Sequence, residues 1–380
     1  MSYLDHNATT PVDESVLEVM LPYMRQHFGN ASAVHVQGRI ARDAIEQARQ
    51  QVADLVGAHP AQIVFTSGGT EANNLAIKGV VAAQQPAVIA CSTIEHPSVF
   101  DVMKHIAQKQ LLRWDHLAVT PDGVIDFENI SNSANTNDHG LVSVMLANNE
   151  TGAINDVARL RSVFPKALIH TDAVQAAGKI AVDFNVLDVD LLTLSAHKIY
   201  GPKGAGAMVM RKSVLLEPQL HGGGQEKGWR SGTENVAAIA GFGHAAVLAR
   251  IQLQQRQQHV LLLRSQLEKE LRQMPGVVIF AETIERLPNT VFFAQPWIEG
   301  ETLLMLLDQQ GFAVGSGSAC ASQAKRSSPV LRAMQVNDTL AANAIRVSLG
   351  ASNTEAEVHE FCTLLKNCLN MSGLSVLNPA

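Results

Sequence analysis

The stretch QIVFTSGGTEANNLAIKG, residues 62–79, contains an apolar strand, a turn with two glycines and the start of a helix, in that order. The same alternation of strand and helix patterns continues to about residue 215. Further strand-like runs are PAVIACS (86–92), LVSVMLAN (141–148), KALIHTD (166–172), DLLTLSA (190–196) and AGAMVMR (205–211). Apolar strands separated by helical segments are typical of a mostly parallel sheet that helices cover on both faces. We therefore predict an α/β fold whose ligands bind at the carboxyl ends of the strands.

The C-terminal part of the chain has a different pattern, which predicts a second domain. A helical region over about 234–273 has few turn signals and is predicted to connect the two parts. Beyond 274–276, short strand patterns alternate with helical ones such as 300–310 and 354–369, which favours a smaller α+β domain. A chain of 380 residues also exceeds the roughly 100–200 residues of a typical single domain.

Composition and charge exclude several classes of function. The net charge is −6 and no basic stripe is visible, so we expect no direct binding to nucleic acid or to an acidic membrane surface. No run approaches the roughly 18 apolar residues of a membrane span, and the N-terminus lacks a signal-peptide pattern, so a cytoplasmic protein is expected. The four cysteines include no CxxC pair, so neither a disulfide framework nor a metal site is expected.

Gly69 and Thr70 lie where the turn of the opening stretch meets its helix. Backbone N–H groups at a helix N-terminus, together with the Thr70 hydroxyl, form a candidate anion site. An ordinary strand-to-helix turn is the alternative interpretation. The chain contains neither GxGxxG nor GxxxxGK[ST], which disfavours a dinucleotide or nucleoside-triphosphate site.

Two strand ends carry groups that suit a ring cofactor. Asp172 ends the run KALIHTD, where a carboxylate could hold a proton on a ring nitrogen, and the Gln175 amide could contact a ring oxygen; a helix N-cap is the alternative for Asp172. Lys198 follows the run DLLTLSA, and a desolvated ammonium is costly without a partner. Lys198 is therefore a candidate Schiff-base nucleophile, although a surface lysine with a packed stem is the alternative.

Three further residues complete the candidate site. His96 follows a strand and could stack on a flat cofactor or transfer a proton, although most single histidines do neither. Cys320 lies in a segment dense in glycine, serine and alanine, where a thiol is accessible, whereas Cys91 is predicted to be buried. Arg346 interrupts an apolar strand pattern, so it either grips a carboxylate or phosphate or lies on a solvent-facing side. Taken together, these groups suit a pyridoxal 5′-phosphate site.

Eight segments of the chain resemble the cysteine desulfurases of the NifS/IscS type. They are YLDHNATTPVD (3–13), FTSGGTEANNLAIKG (65–79), EHPSV (95–99), NNETG (148–152), TDAVQAAGK (171–179), SAHKIYGPKG (195–204), HGGGQEKGWRSGTEN (221–235) and GSGSACAS (315–322). The resemblance implies the fold-type I architecture of pyridoxal-phosphate enzymes: a large domain with a mostly parallel seven-stranded sheet, a smaller α+β domain, and a homodimer. The large domain is then expected over 13–256, and the small domain over 1–12 and 257–380 with the Cys320 loop.

The resemblance also implies roles around the cofactor ring. Lys198 would bind the cofactor covalently and His96 would stack on its ring. Asp172 would pair with the ring nitrogen, and Gln175 would contact the phenolic oxygen. Asn149 would lie near that oxygen and near the substrate carboxylate.

Further roles concern the phosphate and the substrate. Thr233 would reach the phosphate of the neighbouring subunit, Arg346 would bind the substrate carboxylate, and Cys320 would form the persulfide. The remaining phosphate-binding residues would be Thr70, Ser195, His197 and, through its backbone, Gly69. The implied reaction converts L-cysteine to L-alanine and a persulfide on Cys320, with Lys198 and His96 as proton carriers.

Some features leave the pathway open. Ala196 and Ala31 stand where the family usually has glycine and proline, and neither position supplies a reacting group. The chain ends in MSGLSVLNPA without the longer tail by which IscS-type members dock their scaffold, which leaves the sulfur-acceptor protein open, whereas the SGSAC segment favours the NifS/IscS class over the SufS-like class. Iron–sulfur cluster assembly, thiolation of tRNA or DNA, and cofactor synthesis are all compatible with the sequence.

Three alternative functions compete with a desulfurase. A selenocysteine lyase or class V aminotransferase would use the same cofactor, but an aminotransferase needs no thiol at Cys320. A non-catalytic scaffold would be expected to lack Lys198 or Cys320, and both are present. A nicotinamide-dependent dehydrogenase is disfavoured because its glycine fingerprint is missing.

Overall fold

The computed structural model describes residues 1–133, 136–316 and 327–377. Cys320 therefore lies outside the described residues. The strands are β1 Ser2–Tyr3, β2 Ile63–Thr66, β3 Val88–Ser92, β4 Arg113–Leu117, β5 His139–Ser143, β6 Leu168–Asp172, β7 Leu191–Ser195, β8 Gly206–Met210, β9 Val278–Ile279, β10 Thr290–Ala294, β11 Phe312–Ala313, β12 Gly315–Ser316 and β13 Ala344–Ser348. The helices are α1 Glu14–Arg25, α2 Val36–Leu55, α3 Gly69–Gln84, α4 Pro97–Gln110, α5 Phe127–Ser133, α6 Leu160–Val163, α7 Val236–Ile251, α8 Leu253–Leu271, α9 Gly300–Gln309, α10 Pro329–Ala333, α11 Asp338–Ala342 and α12 Glu355–Leu377.

The central sheet has seven strands in the order β2-β8-β7-β6-β5-β3-β4. The strands from β7 to β4 pair in parallel, whereas β8 runs antiparallel to both β7 and β2. Strands β2, β3, β7 and β8 are buried along their whole length, as expected for a sheet covered on both faces. The predicted α/β fold with a mostly parallel seven-stranded sheet is therefore confirmed.

Two details of this sheet differ from the sequence pattern. Strand β4 lies at the sheet edge and was not predicted, because its sequence RWDHL is largely polar and only Leu117 is buried. The run LVSVMLAN continues beyond Ser143, where β5 ends. Beyond β5 the backbone N–H groups of Val144 and Leu146 still donate to β6, at His170 O and Asp172 O. The apolar pattern therefore continues into buried extended chain after the regular strand ends.

The two helices α2 and α7 pack closely on the large core because small residues line their contact. A side chain at Gly243 would place its Cβ only 2.6 Å from the Cα of Ala48, so glycine permits this approach. Alanines of both helices, including Ala41 and Ala245, are fully buried in the same core. This packing places α7 beside the sheet that carries the candidate site.

The predicted continuous helical region over 234–273 is two helices. Helices α7 and α8 meet at Gln252 with a bend of 70°. Among the described residues no single helix has the length and apolar character to cross a membrane, and α7 and α8 reach that length and composition only as a bent pair.

The C-terminal half contributes a second, smaller core. A four-stranded sheet has the order β12-β13-β10-β9, and β1 pairs in parallel with β11. Leu4, Phe293 and Phe361 are buried together in this core, so the first residues of the chain pack with the last third. The strands and helices beyond 274–276 match the predicted α+β pattern, while the domain bounds 13–256 and 257–380 stay a prediction.

Candidate active site

Several of the predicted residues meet at the carboxyl end of the parallel sheet. Asp172 ends β6, Ser195 ends β7, and His96 lies four residues beyond the end of β3. Parallel strands bring their carboxyl ends to one edge, which is where ligands bind in such sheets. Thr70 reaches the same edge from the first turn of α3, which begins at Gly69.

A cavity of about 440 Å³ opens at this edge. Helix α3 begins there with Gly68 at its N-cap, and no side chain caps its first N–H groups. Uncapped N–H groups at a helix N-terminus attract anions. The lining residues are Ala8, Thr9, Ser67, Gly68, Gly69, Thr70, Glu71, Ser195, His197, Lys203 and Gly204. The four residues expected to contact phosphate within one chain are thus brought together, and Lys203 joins them although the sequence pattern did not single it out.

Two ionisable residues shape the charge of this cavity. Burial, reinforced by the charges of Lys198 and Lys203, lowers the pKa of His197 to about 4, so the ring is neutral at pH 7. Burial raises the pKa of Glu71, but hydrogen bonds from Arg230 and Ser67 outweigh burial and lower it. Arg230 Nε donates to Glu71 Oε1 at 2.8 Å, so Glu71, the one acidic residue among the described residues that line the cavity, is paired with a positive charge. The cavity therefore suits an anion.

The Asp172 carboxylate is held by hydrogen bonds from two sides. Its Oδ1 accepts from the Val174 backbone N–H at 2.9 Å within a local turn. Its Oδ2 accepts from Asn73 Nδ2 at 2.8 Å, across the interior from α3. In the described chain no helix begins at Asp172, so the helix N-cap alternative is wrong, and the role of this buried, oriented carboxylate toward a ring nitrogen stays a prediction.

Asn73 also connects Asp172 to His96. Its Nδ2 donates to Ser98 Oγ at 2.9 Å, and that hydroxyl lies 2.7 Å from His96 Nδ1. The Ser98 backbone N–H donates to the same ring nitrogen at 3.1 Å. Because two donors converge on Nδ1, the neutral ring carries its proton on Nε2. Burial lowers the pKa of His96; the charge of Asp172 acts in the opposite direction and that of Lys198 in the same one, and the net lowering favours the neutral ring.

The Lys198 amine lies beside the N-terminal segment. Its Nζ donates to Asn7 O at 2.5 Å and to Ala8 O at 2.7 Å. Asn7 O also accepts from Gln175 Nε2 at 3.0 Å, and Gln175 Oε1 accepts from Lys179 Nζ at 2.6 Å. Burial, together with the nearby charges of Lys198 and Arg346, lowers the pKa of Lys179 well below its ordinary value. Lys179 and Asn7 thus fix the Gln175 amide, and sequence reasoning assigned neither of them a role.

Arg346 projects from β13 toward the same segment. Its Nη1 donates to Asn149 O at 3.0 Å, and its Nη2 donates to Asp5 Oδ1 at 2.6 Å. The Arg346 side chain is 5% exposed, and within the described part of the chain its Nε has no hydrogen-bond partner. Of the two interpretations of Arg346, the structure supports the buried guanidinium with a carboxylate partner.

Of the predicted site residues that the structure describes, Gly69, Thr70, Ser195 and His197 line this cavity, and the others are not part of its lining. Thr233 is exposed on this chain and is not among the described lining residues. Cys320 lies outside the described residues, so its role stays a prediction. Cys91 is buried in β3 as predicted, and burial raises the pKa of its thiol. Cys362 is buried in α12, where burial likewise raises the pKa of its thiol, to about 12.

The described residues fit pyridoxal 5′-phosphate. Hydroxyl, imidazole and ammonium donors line an uncapped helix N-terminus, as a phosphate requires. A Cβ at Gly206 would lie 2.6 Å from Gly68, and a Cβ at Gly69 would lie 3.0 Å from Val174 Cγ2, so the glycines let the turn lie tightly on the strands. A primary amine at Lys198 and a buried carboxylate at Asp172 supply the two groups that a pyridoxal ring needs.

Comparisons with known proteins agree with this site. The family model described as aminotransferase class-V matches residues 2–361. A cysteine desulfurase of Cereibacter sphaeroides is 42% identical over 99% of this chain and 97% of its own length. The chain therefore belongs to the class-V aminotransferase family and, within it, to the cysteine desulfurases.

Solved structures show the same architecture. A structure titled NifS-like protein has a TM-score of 0.90 and 37% identity, covering 97% of this chain and 99% of its own. A structure titled SspA in complex with cysteine has a TM-score of 0.81 and 29% identity, covering 93% of this chain and all of its own. The fold-type I assignment is confirmed, and the protein is an enzyme whose cofactor is pyridoxal 5′-phosphate.

Proposed function

We propose that the protein is a cysteine desulfurase that converts L-cysteine to L-alanine and leaves the sulfur as a persulfide on Cys320. The main observation that supports this proposal is a short chain of hydrogen bonds between the Lys198 amine and the Arg346 guanidinium. Asn7 O accepts from the Lys198 amine, Asn7 Nδ2 donates to Asn149 O at 3.2 Å, and Asn149 O accepts from Arg346. An amine that can bind the cofactor and a guanidinium that can bind a carboxylate are thus connected through Asn7 and the Asn149 carbonyl, and an α-amino acid substrate requires such a pair of groups.

Each residue at the site has a proposed task. Arg346 binds the substrate carboxylate through its planar fork, and the Asn149 side chain supports it. Asp172 holds a proton on the pyridine nitrogen, oriented by Asn73. When bound, pyridoxal phosphate supplies an electron sink for the substrate carbon skeleton. Lys198 Nζ accepts the Cα proton, and neutral His96, with its proton on Nε2, is the second proton carrier.

The remaining site residues hold the cofactor in place. The phosphate is bound by the first turn of α3 and by donors on the opposite wall of the cavity. Neutral His197 donates a hydrogen bond there without adding charge, since its pKa lies near 4. Gln175, fixed by Lys179, contacts the phenolic oxygen. The set proposed to contact phosphate is Gly69, Thr70, Ser195 and His197 from one chain and Thr233 from a second.

The sulfur step needs the Cys320 thiolate. Its sulfur attacks the sulfur of the bound cysteine, so an S–S bond forms and the substrate Cβ–S bond breaks. The electron pair of that bond stays on the substrate Cβ, which takes up a proton to become the methyl group of alanine. Thiolate rather than thiol is the nucleophile in such a step, and no external oxidant is required.

We also propose a homodimer and a protein acceptor for the sulfur. Thr233 is exposed on one chain, which suits a residue that contacts a partner's phosphate. The persulfide then passes to the thiol of an acceptor protein, with iron–sulfur cluster assembly as one use of that sulfur. Gel filtration with light scattering tests the dimer, and mass spectrometry of proteins captured by the sulfur-loaded enzyme tests the acceptor.

The test of the proposed function compares the parent with Lys198→Ala and Cys320→Ser. Supplied with pyridoxal phosphate and L-cysteine, the parent should form alanine with equimolar persulfide. Lys198→Ala should form neither, and borohydride should label Lys198 in the parent but attach no cofactor to the Lys198→Ala variant. Cys320→Ser should keep the cofactor and still change its absorbance on adding cysteine, but should form almost no alanine. The matched control Lys212→Ala, at an exposed position that does not line the cavity, should keep the borohydride label on Lys198.

Two results would overturn the proposal. Alanine formation by Cys320→Ser at the parent rate would replace the desulfurase with a lyase that expels sulfide. Transfer of the amino group to a keto acid, with no alanine from cysteine, would make the protein an aminotransferase.

A further inference from the structure

Asn7 is a buried residue whose side-chain amide is held at both of its ends. Only 1% of its surface is exposed. Its oxygen, Oδ1, accepts from Lys179 Nζ at 2.8 Å and from Asn289 Nδ2 at 3.1 Å. Its nitrogen, Nδ2, donates to Thr290 Oγ1 at 2.9 Å and to Asn149 O at 3.2 Å. Both lone pairs and both N–H groups of this amide are therefore engaged.

The oxygen end of the Asn7 amide leads to a residue proposed to contact the cofactor. Lys179 Nζ donates to Asn7 Oδ1 and also to Gln175 Oε1, so one amine holds the oxygens of two amides. Gln175 Nε2 then faces the other way and donates to Asn7 O at 3.0 Å. Turned by 180°, the Gln175 amide would point its oxygen at this carbonyl, acceptor against acceptor. Lys179 and Asn7 thus select the orientation that leaves Gln175 a second N–H to donate.

The Lys179 amine is a costly group at this position. Burial, together with the charges of Lys198 and Arg346, lowers its pKa well below the ordinary value. Among the described residues its hydrogen-bond acceptors are two amide oxygens and no carboxylate. An apolar side chain would fill the space without the cost of desolvating an amine. What the amine provides, and an apolar side chain would not, is a donor for each of the two amides.

The nitrogen end of the Asn7 amide leads to the residue proposed to bind the substrate carboxylate. Asn149 O accepts from Asn7 Nδ2 and also from Arg346 Nη1 at 3.0 Å. A carbonyl oxygen has two lone pairs, so one donor can hold it while the guanidinium uses the other. Arg346 Nη2 donates to Asp5, two residues before Asn7. The N-terminal segment therefore holds Arg346 directly through Asp5 and indirectly through Asn7.

The backbone of Asn7 fixes the place from which its side chain acts. Its N–H donates to Ser348 Oγ at 2.9 Å on β13, and its carbonyl accepts from Gln175 and from Lys198. Thr290 on β10 lies opposite Ser348 in the antiparallel pairing of these two strands. Asn7 therefore lies between the smaller sheet and the strand ends of the larger one, where a single side chain can reach both.

We propose that Asn7 is a positioning residue whose side chain has two separate tasks. Its amide oxygen acts through Lys179 to orient Gln175 toward the cofactor. Its amide nitrogen holds the Asn149 carbonyl that receives Arg346, and so sets the site for the substrate carboxylate. This role rests on the proposed function, because it concerns the cofactor and substrate sites of that reaction. Since the two tasks lie at opposite ends of one side chain, substitutions should separate them.

The variant Asn7→Asp tests the nitrogen end. It keeps an oxygen for Lys179 but loses both N–H donors, and it turns a carboxylate oxygen toward the Asn149 carbonyl. Alanine formation by the full-length holoenzyme is measured over a range of L-cysteine concentrations. The KM should rise about tenfold, because a buried acceptor loses its donor. The rate at saturating L-cysteine, and the affinity for pyridoxal phosphate in an absorbance titration, should stay within about twofold of the parent.

The variant Lys179→Met tests the oxygen end. Gln175 loses the donor that orients its amide, so the affinity for pyridoxal phosphate should fall about fivefold in the absorbance titration. The KM for L-cysteine should stay within about twofold, because Asn289 still holds the Asn7 oxygen. The double variant Lys179→Met with Gln175→Ala should bind pyridoxal phosphate no more weakly than Gln175→Ala alone, because Lys179 acts through Gln175.

Two further variants separate positioning from a general structural defect. Asn155 is also buried, and its amide accepts from Ile125 N at 3.0 Å and donates to Met145 O at 2.8 Å. Asn155→Asp therefore places a carboxylate against a backbone carbonyl in the same way, at an amide that bonds to neither arm of the network, and should keep the parental KM. Asn7→Ala removes both ends without adding a charge, so it should raise the KM and weaken cofactor binding together.

The outcomes distinguish this role from the proposed function. A parental KM in Asn7→Asp, or an equal rise in Asn155→Asp, would overturn the task of the nitrogen end. Parental affinity for pyridoxal phosphate in Lys179→Met would overturn the task of the oxygen end. Loss of both properties in each of these variants would show one structural defect and would overturn the separation. A parent that forms no alanine from cysteine would instead overturn the proposed function, while the cofactor titrations, which need no turnover, would still decide the role of Lys179.

Discussion

The Asn73 side-chain amide donates a hydrogen bond of 2.8 Å to the Asp172 carboxylate across 99 positions of sequence. The same amide donates to Ser98 Oγ, which in turn contacts His96 Nδ1. One buried amide therefore orients both the acid proposed to face the ring nitrogen and the imidazole proposed to stack on the ring. Each group also accepts from a local backbone N–H, that of Val174 for Asp172 and that of Ser98 for His96, and Asn73 connects the two groups across the interior.

Replacing Asn73 with alanine tests this arrangement. The variant loses the donor to a buried carboxylate, and such a hydrogen bond to a charged group contributes about 1.5–3 kcal/mol. We expect the affinity for pyridoxal phosphate to fall about tenfold, measured by absorbance titration. Asn74→Ala is the matched control, because the Asn74 amide donates within α3 to Thr70 O. Parent affinity in Asn73→Ala would show that Asp172 is oriented without it.

A conservative change at Arg346 tests the proposed carboxylate site. Lysine keeps the charge but lacks the planar fork that grips both oxygens of a carboxylate. Arg346→Lys should raise the KM for L-cysteine at least about tenfold, with unchanged cofactor absorbance. The control is Arg211→Lys, whose guanidinium pairs with Asp188 at 2.7 Å. A parental KM in Arg346→Lys would remove Arg346 from the substrate site.

An exposed threonine tests the proposed dimer. If Thr233 contacts the phosphate in a second subunit, Thr233→Ala should weaken pyridoxal phosphate binding several-fold while the protein stays dimeric by light scattering. Thr283→Ala serves as control, because that residue is also exposed and its hydroxyl lies 3.1 Å from Asp122 Oδ1. A fully active monomer, or full affinity in the Thr233 variant, would contradict the shared site.

His170 gives the stability a pH dependence. This ring lies between Ser143 Oγ at 2.8 Å and Thr193 Oγ1 at 3.1 Å, and burial lowers its pKa to about 4. Between pH 6.5 and about 4 the unfolded chain binds a proton here and the folded chain does not, so stability is lost as pH falls through this range. One such histidine contributes a slope of up to about 1.4 kcal/mol per pH unit.

The variant His170→Asn should show that contribution in urea unfolding from about pH 7 to about pH 5. Its free energy of unfolding should be lower than the parent's at neutral pH, because two buried hydrogen bonds are lost. It should also decline less steeply on acidification. His105→Asn, at an exposed position of α4, should keep the parent slope. An unchanged slope in His170→Asn would assign the acid sensitivity to other groups.

The strands of the sheet could be predicted because a strand that is buried on both faces needs apolar residues along its length. The runs that became β2, β3, β7 and β8 are mostly apolar, and the polar residues that end β6 and β7 mark the ligand-binding edge. Strand β4 was not predicted, because it lies at the edge of the sheet and an edge strand needs few apolar residues.

The supporting residues of the site could not be predicted, because their partners are distant in sequence. Asp5 and Arg346 are 341 positions apart, and Asn73 and Asp172 are 99 apart. Within its own segment, Lys179 follows an ordinary glycine turn, and nothing local indicates that its amine is buried against Gln175. The reacting groups were identified from their strand-end positions and from the family resemblance, whereas the residues that orient them became visible only in the fold.

The central claim is that sulfur leaves cysteine by way of the Cys320 thiol, and one measurement addresses it directly. The holoenzyme is mixed with a limiting amount of L-cysteine, alkylated and digested, and each cysteine-containing peptide is weighed alongside the alanine released. We expect the Cys320 peptide to gain one sulfur atom for each alanine, while the peptides of Cys91, Cys362 and Cys368 gain none. Alanine released with sulfur on another cysteine, or with no sulfur on any, would contradict the account.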